Sequence, residues 1–178
     1  MADPDVPQPH PSRLTDFAGH AGVVGIVPGQ PELVTLTAVS WARSTGATLY
    51  FAYCDPSRYV VRENPDGSVE HADVDPDSAD DSWHERRGAL ESFLHVVVDP
   101  TGVPWELCYL AGRPDRALTH LARAVDAAVI VVGTRVPTVR DELRELLTGS
   151  VANELAHHQH RPVLVVPLTV VDWKVPIS

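Results

Sequence analysis

The chain has 178 residues, 44% hydrophobic and 21% charged, which fits one soluble domain able to bury a core without disulfide or metal staples. Its 24 acids and 14 bases give a formal net charge of -10, so no cationic face offers itself to nucleic acid. Two cysteines are too few for a disulfide framework, and no apolar run approaches the roughly 20 residues of a membrane span.

Residues 1–20 hold Pro4, Pro7, Pro9 and Pro11 among acids and lack an apolar signal-peptide core. They read as a disordered tail, and the expected address is the cytoplasm. Gly22 to Val27 is a β-branched run that predicts a buried strand, followed by the Pro28-Gly-Gln-Pro31 turn. Pro31 suits a first helical position, and Val34, Ala38, Trp41 and Ala42 then recur at helical spacing up to Gly46. Thr48 to Cys54 predicts the second strand. The polar stretch from Asp55 to Ser82, rich in Asp, Pro and Ser, reads as a long loop.

Trp83, Arg87, Leu90, Leu94 and Val97 form one face of a second helix, closed by Asp99-Pro-Thr-Gly102. Trp105 to Leu110 predicts the third strand. Pro114 opens a third helix with Leu118, Leu121, Ala122 and Val125 inward. Ala127 to Val132 is a fourth strand, apolar on both faces. After a long connection from Gly133 to Gly149 come a fourth helix, Ser150 to His160, and a fifth strand, Pro162 to Val166. Strands apolar on both faces and alternating with helices predict a doubly wound, five-stranded parallel sheet of Rossmann-like α/β class, order 3-2-1-4-5. The domain spans 21–167, and the apolar tail 168–178 is left as a dimer contact.

In that order the ligand crevice lies between strands one and four, facing Val27 to Gln30 and the loop from Gly133. Gly149-Ser150 before a helix can present N–H groups to an anion, or serve simply as turn and N-cap. The histidines His157, His158 and His160 end a helix, where they oppose its dipole, and give no metal set. Asp73-x-Asp75-x-Asp77 opens like an EF-hand loop but has Pro76 and Ser78 where the loop needs otherwise, and His84 at the bidentate position. No G-x-S-x-G elbow or Walker A lysine occurs, and nothing positions Asp141, Glu142 or Glu145 as a general base for ATP hydrolysis, so no enzyme is expected.

Val-Ile-Val-Val-Gly133-Thr-Arg135, then Thr148-Gly149-Ser150-Val151, then His158-Gln-His-Arg-Pro162-Val-Leu-Val-Val166 resembles the universal stress protein family in order and spacing. Trp41-Ala42 leading to Gly46-Ala47, and Ala111-Gly-Arg-Pro114, are similar to it as well. The resemblance covers roughly Gly22 to Pro167. It implies the adenine nucleotide alpha hydrolase-like fold and a cytoplasmic stress-response protein that acts by binding. In nucleotide-binding members a G-x2-G-x9-G-[S/T] loop wraps the ATP phosphates, which makes Val27, Gly29, Gly133, Arg135, Gly149, Ser150 and Val151 the candidate ATP site here.

The chain departs from that pattern three times. Pro28 stands where strand one usually ends in aspartate, Val136 replaces the second loop glycine, and the Gly133–Gly149 interval is three residues longer. A β-branched Val136 and an N–H-less Pro28 both oppose backbone approach to phosphate, so the expectation is binding function without tight ATP binding. An ATP sensor using the Gly133–Ser150 loop is the alternative. The resemblance further implies a homodimer through Pro162–Pro167, and leaves other protein partners open.

Overall fold

The computed structural model describes residues 10–75, 82–134 and 151–168. Seven strands and four α-helices follow in chain order: β1 (Gly22–Gly25), α1 (Leu33–Thr45), β2 (Leu49–Asp55), β3 (Arg58–Glu63), β4 (Val69–Asp73), α2 (Ser82–Val97), β5 (Trp105–Ala111), α3 (Pro114–Ala124), β6 (Val129–Gly133), α4 (Val151–His158) and β7 (Val163–Val166). Five of these strands make one sheet in the order β5-β2-β1-β6-β7, with every neighbouring pair parallel. Counting only the sheet's strands, this is the expected 3-2-1-4-5.

The two-sided apolarity of the central strands has a direct cause. Val23 and Val24 point to opposite faces of β1, and each is fully buried. Val24 joins the core under α1 and α2 with Val34, Phe51, Leu94 and Val131. Val23 joins the core under α3 and α4 with Leu118, Leu121, Ile130 and Leu155. Each such side chain contributes about 1.5–3 kcal/mol of transfer free energy, which sets the sheet's register against slippage.

Three expectations change. The stretch from Asp55 to Ser82 is no simple loop: β3 and β4 form an antiparallel hairpin around an Asn64-Pro-Asp-Gly67 turn. There the Gly67 N–H donates to the Asn64 carbonyl at 3.0 Å and the Asn64 N–H to the Ser68 carbonyl at 2.9 Å, Asp66 Oδ1 accepts from the Ser68 N–H at 2.9 Å, and Gly67 takes a φ of +88°. Helix α1 begins at Leu33, two residues after Pro31, with Glu32 as its N-cap. On α2 it is Arg86 that turns partly inward, while Arg87 is exposed; hydrogen bonds to Asp55 and Tyr109 hold Arg86 there.

Of the segment read as a tail, residues 1–9 lie outside the described residues. Residues 10–20 include a short 3-10 turn, Pro11–Arg13, and the Phe17 ring meets Trp41 edge-on at 5.9 Å. The Gly19 N–H also donates to the Thr45 carbonyl at 2.8 Å. Residues 169–178 lie outside the described residues. Among the described residues, no helix is long and apolar enough to cross a membrane.

Candidate functional site

Strand order reverses between β1, which continues to β2, and β6, which continues to β7. Open α/β sheets bind ligands at this point, past the carboxyl ends of the strands. The chain leaves β1 through Val27-Pro28-Gly29-Gln30. Pro28 pre-sets the first central position and Gly29, at φ +74°, takes the second, as a type II turn requires. The Gln30 N–H donates to the Val27 carbonyl at 3.2 Å. The Gln30 side chain then turns back, and its Oε1 accepts from the Val27 N–H at 3.1 Å. One residue thereby engages both backbone polar groups of Val27, and Pro28 has no N–H to offer.

Gly133 ends β6 directly opposite. A Cβ placed on it would stand 2.7 Å from Gln30 Nε2, 2.8 Å from Leu168 Cδ1 and 3.0 Å from Val34 Cγ2. The space above this glycine is therefore filled by the protein's own side chains. Leu168 is held there by its N–H, which donates to Thr134 Oγ1 at 2.7 Å, while the Thr134 N–H donates to the Val166 carbonyl at 2.8 Å.

Of the candidate residues, Val27 (54% exposed) and Gly29 sit on the turn, and Gln30 links that turn to Gly133. Val151 opens α4 and packs on the core under α3 and α4. Arg135, Gly149 and Ser150 lie outside the described residues, as do Val136, Arg140, Asp141, Glu142 and Glu145. Gln30, Thr134 and Leu168 are additions the sequence reading did not single out. Gln30 sat in view between two turn prolines, but only the fold brings it over a residue 103 positions away.

A second constellation closes the carboxyl end of β2. The Asp55 side chain is 2% exposed. Its Oδ2 accepts from the Tyr109 hydroxyl at 2.5 Å and from Arg86 Nη2 at 2.9 Å; its Oδ1 accepts from the Ser57 N–H at 2.9 Å and the Ser57 hydroxyl at 2.6 Å. Burial works against the charged form, yet the bonds from Ser57 and Tyr109 and the Arg86 charge hold this carboxyl below the usual range. Burial, together with Asp55, pushes the Tyr109 hydroxyl up to about 12. Both oxygens of Asp55 are engaged, so the group ties β2, β5 and α2 together instead of taking up protons.

The hairpin locks onto this hub. Arg58 Nε donates to His71 Nδ1 at 2.6 Å and its Nη1 to Asp73 at 2.5 Å, with the guanidinium 5.2 Å from the centre of the Trp83 ring. Burial pushes the Cys54 thiol up to about 12 and the Cys108 thiol up to about 11, so both are protonated core thiols. Among the described residues no group of three or more His, Cys, Asp or Glu is placed to hold a metal ion.

A parallel sheet whose strand order reverses between β1 and β6, with helices on both faces, is the doubly wound α/β fold. The model of the Universal stress protein family matches residues 28–167, and the chain belongs to that family. Solved structures agree on the fold. The universal stress protein from Archaeoglobus fulgidus superposes with a TM-score of 0.58 at 22% identity, over 84% of this chain and 94% of that one. The universal stress protein of the same organism in complex with dAMP gives 0.55 at 20% identity, over 83% and 97%. A universal stress protein in complex with cAMP gives 0.54 at 21% identity, over 85% and 99%. No curated protein matches the chain.

Proposed function

We propose that this universal stress protein acts as a non-enzymatic cytoplasmic stress-response and regulatory protein, through protein contacts, with its switch-point crevice closed to tight ATP binding. The observation that carries this reading is Gly133: Gln30, Leu168 and Val34 occupy the space over it, where a bound group would need open backbone. The self-bonded Val27–Gln30 turn supports it from the facing side. A competing reading, a nucleotide sensor, draws support from proteins of the same fold solved in complex with dAMP and with cAMP. Calorimetric titration with ATP separates the two. Millimolar ATP is expected to give no saturable heat with the parent chain. Stoichiometric, saturable binding that Gly133→Val abolishes would establish the sensor.

The surface for protein contact is β7, the edge strand of the sheet among the described residues, where Leu164 is 37% and Val165 41% exposed. An apolar strand edge offers both backbone bonds and side chains to a second copy across a two-fold axis. Light scattering is expected to return twice the chain mass for the parent and the single-chain mass for Val165→Asp. A parent of single-chain mass would overturn the dimer.

A further inference from the structure

Away from the crevice, α3, α4 and the end of β3 enclose a groove of about 550 Å³. That volume falls in the range of small-molecule sites, roughly 300–1,000 Å³. One wall is a single stripe of α3, since Arg113, Arg116, His120 and Arg123 recur at spacings of three, four and three residues. His158 of α4 faces it.

The groove's carboxylates are already committed. Asp115 takes Arg113 in a two-point pair, Nε to Oδ1 at 3.1 Å and Nη2 to Oδ2 at 3.0 Å. Glu154 lies 3.2 Å from His158 Nε2 and 3.8 Å from Arg113 Nη2. Glu63 lies 3.4 Å from His120 Nδ1. Among the described residues this leaves Arg116 and Arg123 without an ion-pair partner, one turn to either side of His120. Between them His120 Nε2 is buried and has no hydrogen-bond partner. The His120 Nδ1 is turned to Glu63 and its Nε2 has no surface open to the groove, so the two guanidiniums carry the contact to an anion. In a chain of net charge -10, two spare guanidiniums over one groove are a local feature, not a reflection of overall basicity. Guanidinium geometry matches phosphate oxygens through paired N–H donors.

We infer that this groove is an anion site for a small phosphate-bearing molecule, held by Arg116 and Arg123 with His120 between them. It is separate from the switch-point crevice and does not depend on how that crevice behaves. Inorganic pyrophosphate is the probe, titrated into the full-length protein with amide chemical shifts as readout. The expected result is saturable binding that moves α3 and α4 resonances, weakened at least tenfold in Arg116→Ala/Arg123→Ala. Arg43→Ala, at the end of α1, should bind as the parent does. The double variant removes only exposed side chains, and an unchanged melting temperature shows that it is folded. No saturable shift at tens of millimolar pyrophosphate, or binding equal in parent and double variant, would overturn the site.

Discussion

Replacing Asp55 with alanine is expected to destabilise the protein by about 3 kcal/mol, the lower end of what breaking a buried ion pair costs, because Arg86 keeps 30% of its side-chain exposure and some of its hydration. The loss does not come from Asp55's own contacts alone. Without the carboxylate, the Tyr109 hydroxyl and the Ser57 N–H lose their acceptor, and the Arg86 guanidinium loses its buried counter-charge. Urea unfolding measures it, and a drop in melting temperature of about 6–12 °C should accompany it in a chain of this size. Asp55→Asn keeps the shape and one acceptor oxygen and should lose less. The pH dependence has a definite sign. The folded state holds the Asp55 pKa below its unfolded value of about 3.9, so its stabilisation is full above that pH and fades as pH falls through the folded value. The gap between parent and Asp55→Asn should therefore narrow in acid. A gap under about 1 kcal/mol at pH 7 would show that the hub does not tie the elements together.

The second large effect belongs to the hairpin turn. Gly67 has a φ of +88°, and a Cβ there would stand 2.7 Å from Leu121 Cδ1, 3.0 Å from Ala124 Cβ and 3.4 Å from Leu121 Cα. Leu121 is fully buried and cannot swing away into solvent. Gly67→Ala thus adds a left-handed backbone penalty of about 1–2 kcal/mol to overpacking of about 1–3 kcal/mol. A loss of about 2–5 kcal/mol is expected, with faster amide exchange across β3 and β4 as the hairpin lifts from α3. Gly46→Ala is the control, for Gly46 has a φ of +71° and nothing within 4 Å of a Cβ. It should show the backbone penalty alone. Equal losses at the two glycines would mean that the hairpin does not dock on α3.

The parallel sheet was legible because its central strands must be apolar on both faces, and Val23-Val24 and Ile130-Val131 declare this locally. The helices were legible from spacing, down to Leu118, Leu121 and Ala122 on α3. The hairpin was hidden by composition. Acids, prolines and serines from Asp55 to Ser82 outweighed the Tyr59-Val-Val61 run and the Asn64-Pro-Asp-Gly67 turn that in fact mark two strands. Helical spacing groups Arg87 with Trp83, Leu90 and Leu94 on one face of α2, because it counts positions and not partners. Arg86 is the residue drawn in, by Asp55 31 positions away and by Tyr109 23 positions away. The crevice shows the same limit. Gly29 and Gly133 stand out as glycines, whereas Gln30 gains its place only by reaching Gly133 in space, and Leu168 by its bond to Thr134.

The closed crevice is tested most directly by the nucleotide content of the protein as purified. Denaturing it and resolving the released small molecules by chromatography should give far less than one adenine nucleotide per chain. Stoichiometric ATP, dAMP or cAMP in the supernatant would contradict the account, for it would mean that Gln30 and Leu168 move off Gly133 and yield their place to a ligand.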